Sequence, residues 1–143
     1  MRKIIKLAIL LLLPVGLMAQ STDDIVTRCV LAAGDNTTYL KDYLIQLPKA
    51  TTKADIPVHK ANMYLMKNQK YRFTLCNTTD SKGELVFSLY ENNNMVLSSF
   101  NTKTGKSYNT VDFTCNKTGL YQLWFNFQEG LPGKGVGVVL MVK

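Results

Sequence analysis

Residues Asn116–Gly130 read "NKTGLYQLWFNFQEG" and hold the only tryptophan of the chain. Turn-forming residues stand at both ends, Asn-Lys-Thr-Gly before and Glu-Gly after, so the stretch between them is one element. At the period of a strand, Tyr121, Leu123, Phe125 and Phe127 share one face, and Gln122, Trp124, Asn126 and Gln128 share the other. The first row is a continuous apolar stripe and predicts the wall of a core. The second sets an indole among three amides. One reading of that row is a flat aromatic platform that stacks on sugar rings while amides bond hydroxyls, with Trp124, Gln122 and Asn126 as the candidate ligand-binding residues. The other reading, and the expectation adopted, is that the N-terminal segment covers Trp124, because its Ile25, Val26 and Leu31 need an apolar place to dock.

The same alternation recurs along the chain. "TYLKDYLIQLP" puts Tyr43, Ile45 and Leu47 on one face before Pro48 stops it, and "KATTKAD" reads as an exposed loop. "VHKANMYLM" and "KYRFTLC" flank "KNQ" as an expected hairpin, with Tyr71, Phe73 and Leu75 opposite Arg72, Thr74 and Cys76. "ELVFSLYE" and "MVLSSFN" are separated by Asn92, Asn93 and Asn94, residues that tolerate the left-handed conformations of a tight turn. "SYNTVDFTC" alternates Val111, Phe113 and Cys115 against Asp112 and Thr114, and "GVGVVLMVK" forms an eighth strand. Eight short strands without a long helical pattern between them predict an all-β fold, a single antiparallel β-sandwich of jelly-roll or Greek-key kind, with a closed barrel as the alternative.

Ahead of the strands, "STDDIVTRCVLAAGDN" offers Ser21 or Thr22 as an N-cap, Ile25, Cys29 and Ala32 at helical spacing, and Gly34 as a stop. A short helix is expected, with an extended segment as the alternative. The first twenty residues, "MRKIIKLAILLLLPVGLMAQ", place Arg2, Lys3 and Lys6 before an apolar run and end in small residues, the pattern of a secretory signal peptide. The run is shorter than the roughly 20 residues of a spanning helix. The expected organisation is a signal peptide over residues 1–19 and one β-sandwich domain over 20–143, without a transmembrane segment once the leader is removed.

The chain has 17 Lys+Arg and 10 Asp+Glu; without Arg2, Lys3 and Lys6 the balance is 14 to 10, a net charge of +4. The lysines are spread singly, which describes a solvated surface and gives no nucleic-acid footprint. Cys29, Cys76 and Cys115 in an oxidising compartment imply one disulfide and one leftover thiol, with all three pairings open. They are too dispersed for a zinc ribbon.

Groups for catalysis are few. His59 is the only histidine and is expected at a surface or strand edge. No local nucleophile motif is present, and Asp80, Glu84, Glu91, Asp112 and Glu129 read as solvated carboxylates. Asp80 and Glu84, with Asn77 and the carbonyls of "TTDSKG", are the candidate calcium ligands, although calcium takes about six to eight oxygens. "GLPGKGVG" lacks the strand-loop-helix setting of a phosphate cradle and reads as a connection between strands, where Gly135 and Gly137 mark the close approach of a neighbour. Asn36, Asn77 and Asn116 open N-x-T sequences that are taken as turns.

Together, "LMKNQKYRFTLCNTTDSKGELVFSLYENNNMVLSSFN" and "VDFTCNKTGLYQLWF" resemble the bacterial pre-peptidase C-terminal domain over about Met63 to Lys143. The motifs are strand and turn grammar, so the resemblance concerns the fold. It implies a small non-catalytic β-sandwich, usually appended to secreted hydrolases and sometimes binding calcium or polymeric substrate. The GOLD domain, a β-sandwich of protein and lipid interactions, has similar grammar. Neither contributes a catalytic residue. The expected protein is a secreted or periplasmic, non-enzymatic module that binds a glycan, peptide or protein of the cell envelope and needs no cofactor. The rival readings are a structural subunit joined by edge-strand pairing, and a small hydrolase built on His59 or a carboxylate pair.

Overall fold

In the computed structural model, which describes residues 22–143, Tyr121, Leu123, Phe125 and Phe127 are all fully buried. Their strand, β7 (Gly119–Phe127), belongs to a series that also includes β1 (Thr37–Leu47), β2 (His59–Leu65), β3 (Lys70–Asn77), β4 (Leu85–Glu91), β5 (Asn94–Ser98), β6 (Thr110–Thr114) and β8 (Gly133–Val142). Among the described residues one α-helix, α1 (Thr22–Ala32), precedes them. The leader expected over residues 1–19 and the N-cap expected at Ser21 lie outside the described residues.

The strands form two four-stranded sheets, ordered β1-β8-β3-β6 and β2-β7-β4-β5, and every pairing is antiparallel. The pairs β1·β8, β2·β7, β3·β6 and β4·β5 nest as in a long hairpin rolled onto itself, which is the strand order of a jelly roll. The two sheets remain separate, so the fold is a sandwich and the closed-barrel alternative falls.

Between the sheets, the inner row of β7 meets Ile45 of β1, Tyr71, Phe73 and Leu75 of β3, and Leu85, Phe87 and Leu89 of β4. Phe73 and Phe87 stack across the gap with centroids 4.4 Å apart. Each such side chain contributes about 1.5–3 kcal/mol when withdrawn from water. The inward positions of β8 are small to admit the rings: a Cβ on Gly137 would lie 2.5 Å from Phe125 Cε1, and one on Gly133 would lie 2.3 Å from Phe127 Cδ1. At Gly135 the near neighbour is the Cys76 carbonyl, at 2.7 Å. The close approach expected there is therefore real, and at Gly133 and Gly137 it comes from the facing sheet.

The outward row of β8, Val136, Val138 and Leu140, is also buried, because α1 lies on it through Ile25, Cys29 and Ala33, with Val26 and Val30 beside them. A disulfide joins Cys29 of α1 to Cys76 of β3, which leaves Cys115 as a buried single thiol. Gly34, at φ +86, ends the helix. Arg72 of β3 donates from Nη1 to the Ala33 carbonyl at 2.7 Å, and its Nε and Nη2 donate to the two Asp112 oxygens at 2.8 and 2.9 Å. A cation is thereby fixed at the negative end of the helix dipole.

Two expectations are corrected. First, α1 docks on the β1-β8-β3-β6 sheet and not over Trp124; Ala33, not Ala32, completes its buried stripe, and Leu31 stays 75% exposed. Second, β2 and β3 are not a hairpin, since β2 pairs with β7 while β3 pairs with β6 and β8. The short turn at Asn68, φ 69, crosses from one sheet to the other. The short helix expected ahead of the strands forms over residues 22–32. The β4–β5 hairpin forms as expected, with Asn92 and Asn93 at φ 46 and 65, the signature of a type I′ turn.

Candidate functional site

With α1 on the other sheet, the outer face of β2-β7-β4-β5 is left open. Register arranges it in rows across the strands. Lys60, Trp124 and Ser88 form one row, Asn62, Gln122 and Tyr90 the next, and Tyr64 pairs with Leu120 beyond them.

Trp124 is partly buried within this face. Tyr90, from the strand on one side, stacks on its ring with centroids 4.2 Å apart and planes 29° from parallel. Lys60, from the strand on the other side, sets its ammonium 4.1 Å from the ring centroid. The indole Nε1 donates to Gln122 Oε1 at 3.1 Å. The aromatic stack and the cation–π contact are each worth about 0.5–1.5 kcal/mol. They fix the indole as a wedge between its neighbours and not as a bare plate.

Beside that wedge lies a hollow of about 330 Å³, lined by Asn62, Tyr90, Asn92, Asn93, Leu120 and Gln122. Its aromatic member is Tyr90, and Trp124, which stacks on Tyr90, is not among the lining residues. Four carboxamides surround the space, each with one carbonyl acceptor and two N–H donors. Gln122 Oε1 is engaged by the indole, which leaves its amide hydrogens for a second partner. The type I′ turn brings in Asn92 and Asn93, which no strand-parity rule would place there.

Of the three residues expected to bind ligand, Gln122 lines the hollow and Trp124 supports it. Asn126 lies further along β7, opposite Val86, and its Nδ2 donates to the Phe127 carbonyl at 3.4 Å. Sequence reasoning missed Tyr90, Asn62 and Leu120. Tyr90 was findable: the buried Phe87 and Leu89 fix the inward parity of β4 and send residues 88 and 90 outward.

Asp80 is exposed and lines an open cleft of about 510 Å³ with Ser81, Lys82 and Lys134, whereas Glu84 is absent from that lining. Hydrogen bonding from Thr78, then from its own backbone amide, holds the Asp80 carboxyl below the usual carboxylate range. Among the described residues no group of three or more His, Cys, Asp or Glu is placed to hold a metal ion.

His59 begins edge strand β2, with its ring 6.4 Å from that of Tyr43 and 6.2 Å from that of Phe125. The Tyr43 hydroxyl beside it is buried without a hydrogen-bond partner, and burial raises its pKa. Cys115 is inside the sandwich, where its thiol donates to the Lys117 carbonyl at 3.2 Å. Asp112 is engaged by Arg72 and Lys70, and Glu91 lies 3.7 Å from Lys117.

No helix among the described residues is long and apolar enough to cross a membrane. No protein-family model matches the chain, and no curated protein matches its sequence.

Proposed function

We propose that this chain is a non-catalytic binding module that holds a glycan on the outer face of the β2-β7-β4-β5 sheet. The observation that carries the reading is the hollow walled by Tyr90 and ringed by the carboxamides of Asn62, Asn92, Asn93 and Gln122. A sugar ring offers an apolar face to stack on an aromatic side chain and equatorial hydroxyls that both donate and accept, and carboxamides match both roles. Trp124 holds the Tyr90 ring upright, so the stacking surface is organised before any ligand arrives. The resemblance of Met63–Lys143 to the pre-peptidase C-terminal domain, a non-catalytic sandwich that sometimes binds polymeric substrate, supports the same reading.

The working location is outside the cytoplasm, in the periplasm or beyond the cell. Its support is the disulfide between Cys29 and Cys76 together with the leader-like first twenty residues. Strand addition to an envelope assembly is less favoured at three of the four edges: β1 carries a register shift between Tyr39 and Lys41, and β5 and β6 are each 5 residues long, which leaves β2 as the regular edge.

The single tryptophan makes the test direct. Neutral oligosaccharides are titrated while Trp124 fluorescence is followed, because any ligand stacked on Tyr90 alters the ring that Trp124 touches. A saturable response that disappears in Tyr90→Ala and in Gln122→Ala, with folding intact, supports the reading. Oligosaccharide binding that is unchanged in both variants overturns it, as does a full panel without a saturable response.

A further inference from the structure

The far end of β7 carries a second, unrelated hollow. There the β1–β2 and β7–β8 connections enclose about 440 Å³, with Lys49, Ala50, Lys53, Ile56, Glu129 and Leu131 in the lining. That volume is within the range of small-molecule sites, about 300–1,000 Å³.

The two connections are locked to each other. Ala50 N–H donates to the Gly130 carbonyl at 2.8 Å. A Cβ on Gly130 would lie 2.7 Å from Ala50 Cβ, so the backbones meet as closely as glycine permits. Glu129 and Gly130 are both left-handed, at φ 58 and 67. A glutamate in that conformation is strained where glycine or asparagine would serve the turn without cost, and such strain concentrates at functional positions. The wall of this hollow is thus rigid, and one strained residue sits in it.

The lining chemistry selects the occupant. Ile56 and Leu131 are exposed apolar side chains, at 39% and 36%, and with Ala50 they form a floor. Lys49 and Lys53 stand at the rim, two ammonium groups against the one carboxylate of Glu129. The ion pairs among the described residues involve Lys70, Arg72 and Lys117, so neither rim lysine is neutralised by one.

We infer that this hollow binds an anionic amphiphile: a carboxylate held between Lys49 and Lys53, with its hydrocarbon body laid on Ile56 and Leu131. The site is separate from the amide-lined face, and its failure would leave that reading untouched.

The test is a titration of the full chain with sodium decanoate, below its micelle-forming concentration, followed by amide proton–nitrogen spectra. The expected result is saturable movement of the Ala50 and Gly130 amides while those of Asn62 and Gln122 stay in place. Lys49→Gln combined with Lys53→Gln should weaken decanoate at least tenfold, and neutral decanol should bind the parent at least tenfold more weakly than decanoate. Both lysines are exposed, so the double variant keeps the fold, and its spectrum verifies this. The inference is overturned by shifts that grow linearly without saturation, by shifts centred on Gln122, or by equal affinity in parent and double variant.

Discussion

Removing the Cys29–Cys76 bridge, by Cys29→Ala with Cys76→Ala, should cost most of the stability that holds α1 in place. The two cysteines are 47 residues apart in sequence. Closing a loop of that length removes chain entropy from the unfolded state worth about 4 kcal/mol at 25 °C in the loop-closure account. At about 4 °C per kcal/mol for a domain of this size, the melting midpoint should fall by roughly 15 °C. The loss should also be ordered in space. A free helix of 11 residues is marginal in water, and α1 then keeps only the contacts of Ile25, Val26, Val30 and Ala33 with β8 and its neighbours. Trp124 lies on the opposite sheet and reports on the sandwich alone. Thermal melts followed by far-ultraviolet circular dichroism and by tryptophan fluorescence separate the two, and the helical signal should go first in the variant. A variant that melts within about 2 °C of the parent, with its helical signal lost together with the fluorescence change, refutes the reasoning.

Two further outcomes are expected. Asp112 has its pKa lowered chiefly by the Arg72 hydrogen bonds, so its contribution is complete above the ordinary carboxylate value of about 3.9 and is lost as pH falls through the lower folded value. Asp112→Asn should cost about 1 kcal/mol at neutral pH, a figure reduced for solvent screening of a partly exposed pair, and urea midpoints of parent and variant should converge as the pH is taken below the ordinary carboxylate range; a gap that does not narrow with falling pH contradicts the assignment. Gly137→Ala should cost about 2 kcal/mol by forcing the Phe125 ring aside. Gly119→Ala, with nothing within 4 Å of the added carbon, should stay within about 0.5 kcal/mol in the same urea titrations, and equal effects at the two glycines would show that the clash is not the cause.

Strand parity carried most of the fold. The rows of β3, β6 and β7 follow from alternation alone because one face of each meets a dry core. Partnership was less legible. "KNQ" looks like a hairpin turn, yet a turn of that length serves equally to step between two layers, and only the competing pairings of β7 and β8 decide. The docking place of α1 had a signal that alternation obscured. In "GVGVVLMV" the outward residues Val136, Val138 and Leu140 are as apolar as the inward ones, the mark of a strand covered on both sides. The candidate site was half legible for a related reason: β7 yielded Gln122 and Trp124, but Tyr90, Asn62 and the Asn92–Asn93 turn enter from strands whose order the sequence does not state.

The position of α1 also gives the molecule a front and a back. Helix and disulfide occupy the back, and beyond the Thr37–Val142 pair the same sheet closes with the Lys143 amide donating to the Asn36 carbonyl at 2.8 Å. If the chain is attached to a bead through a residue introduced on the exposed face of α1, at Thr27 or Arg28, the tether leaves from the covered side. The aromatic and amide rows then point away from the support, so immobilised protein displays its open sheet to the solution in a single orientation.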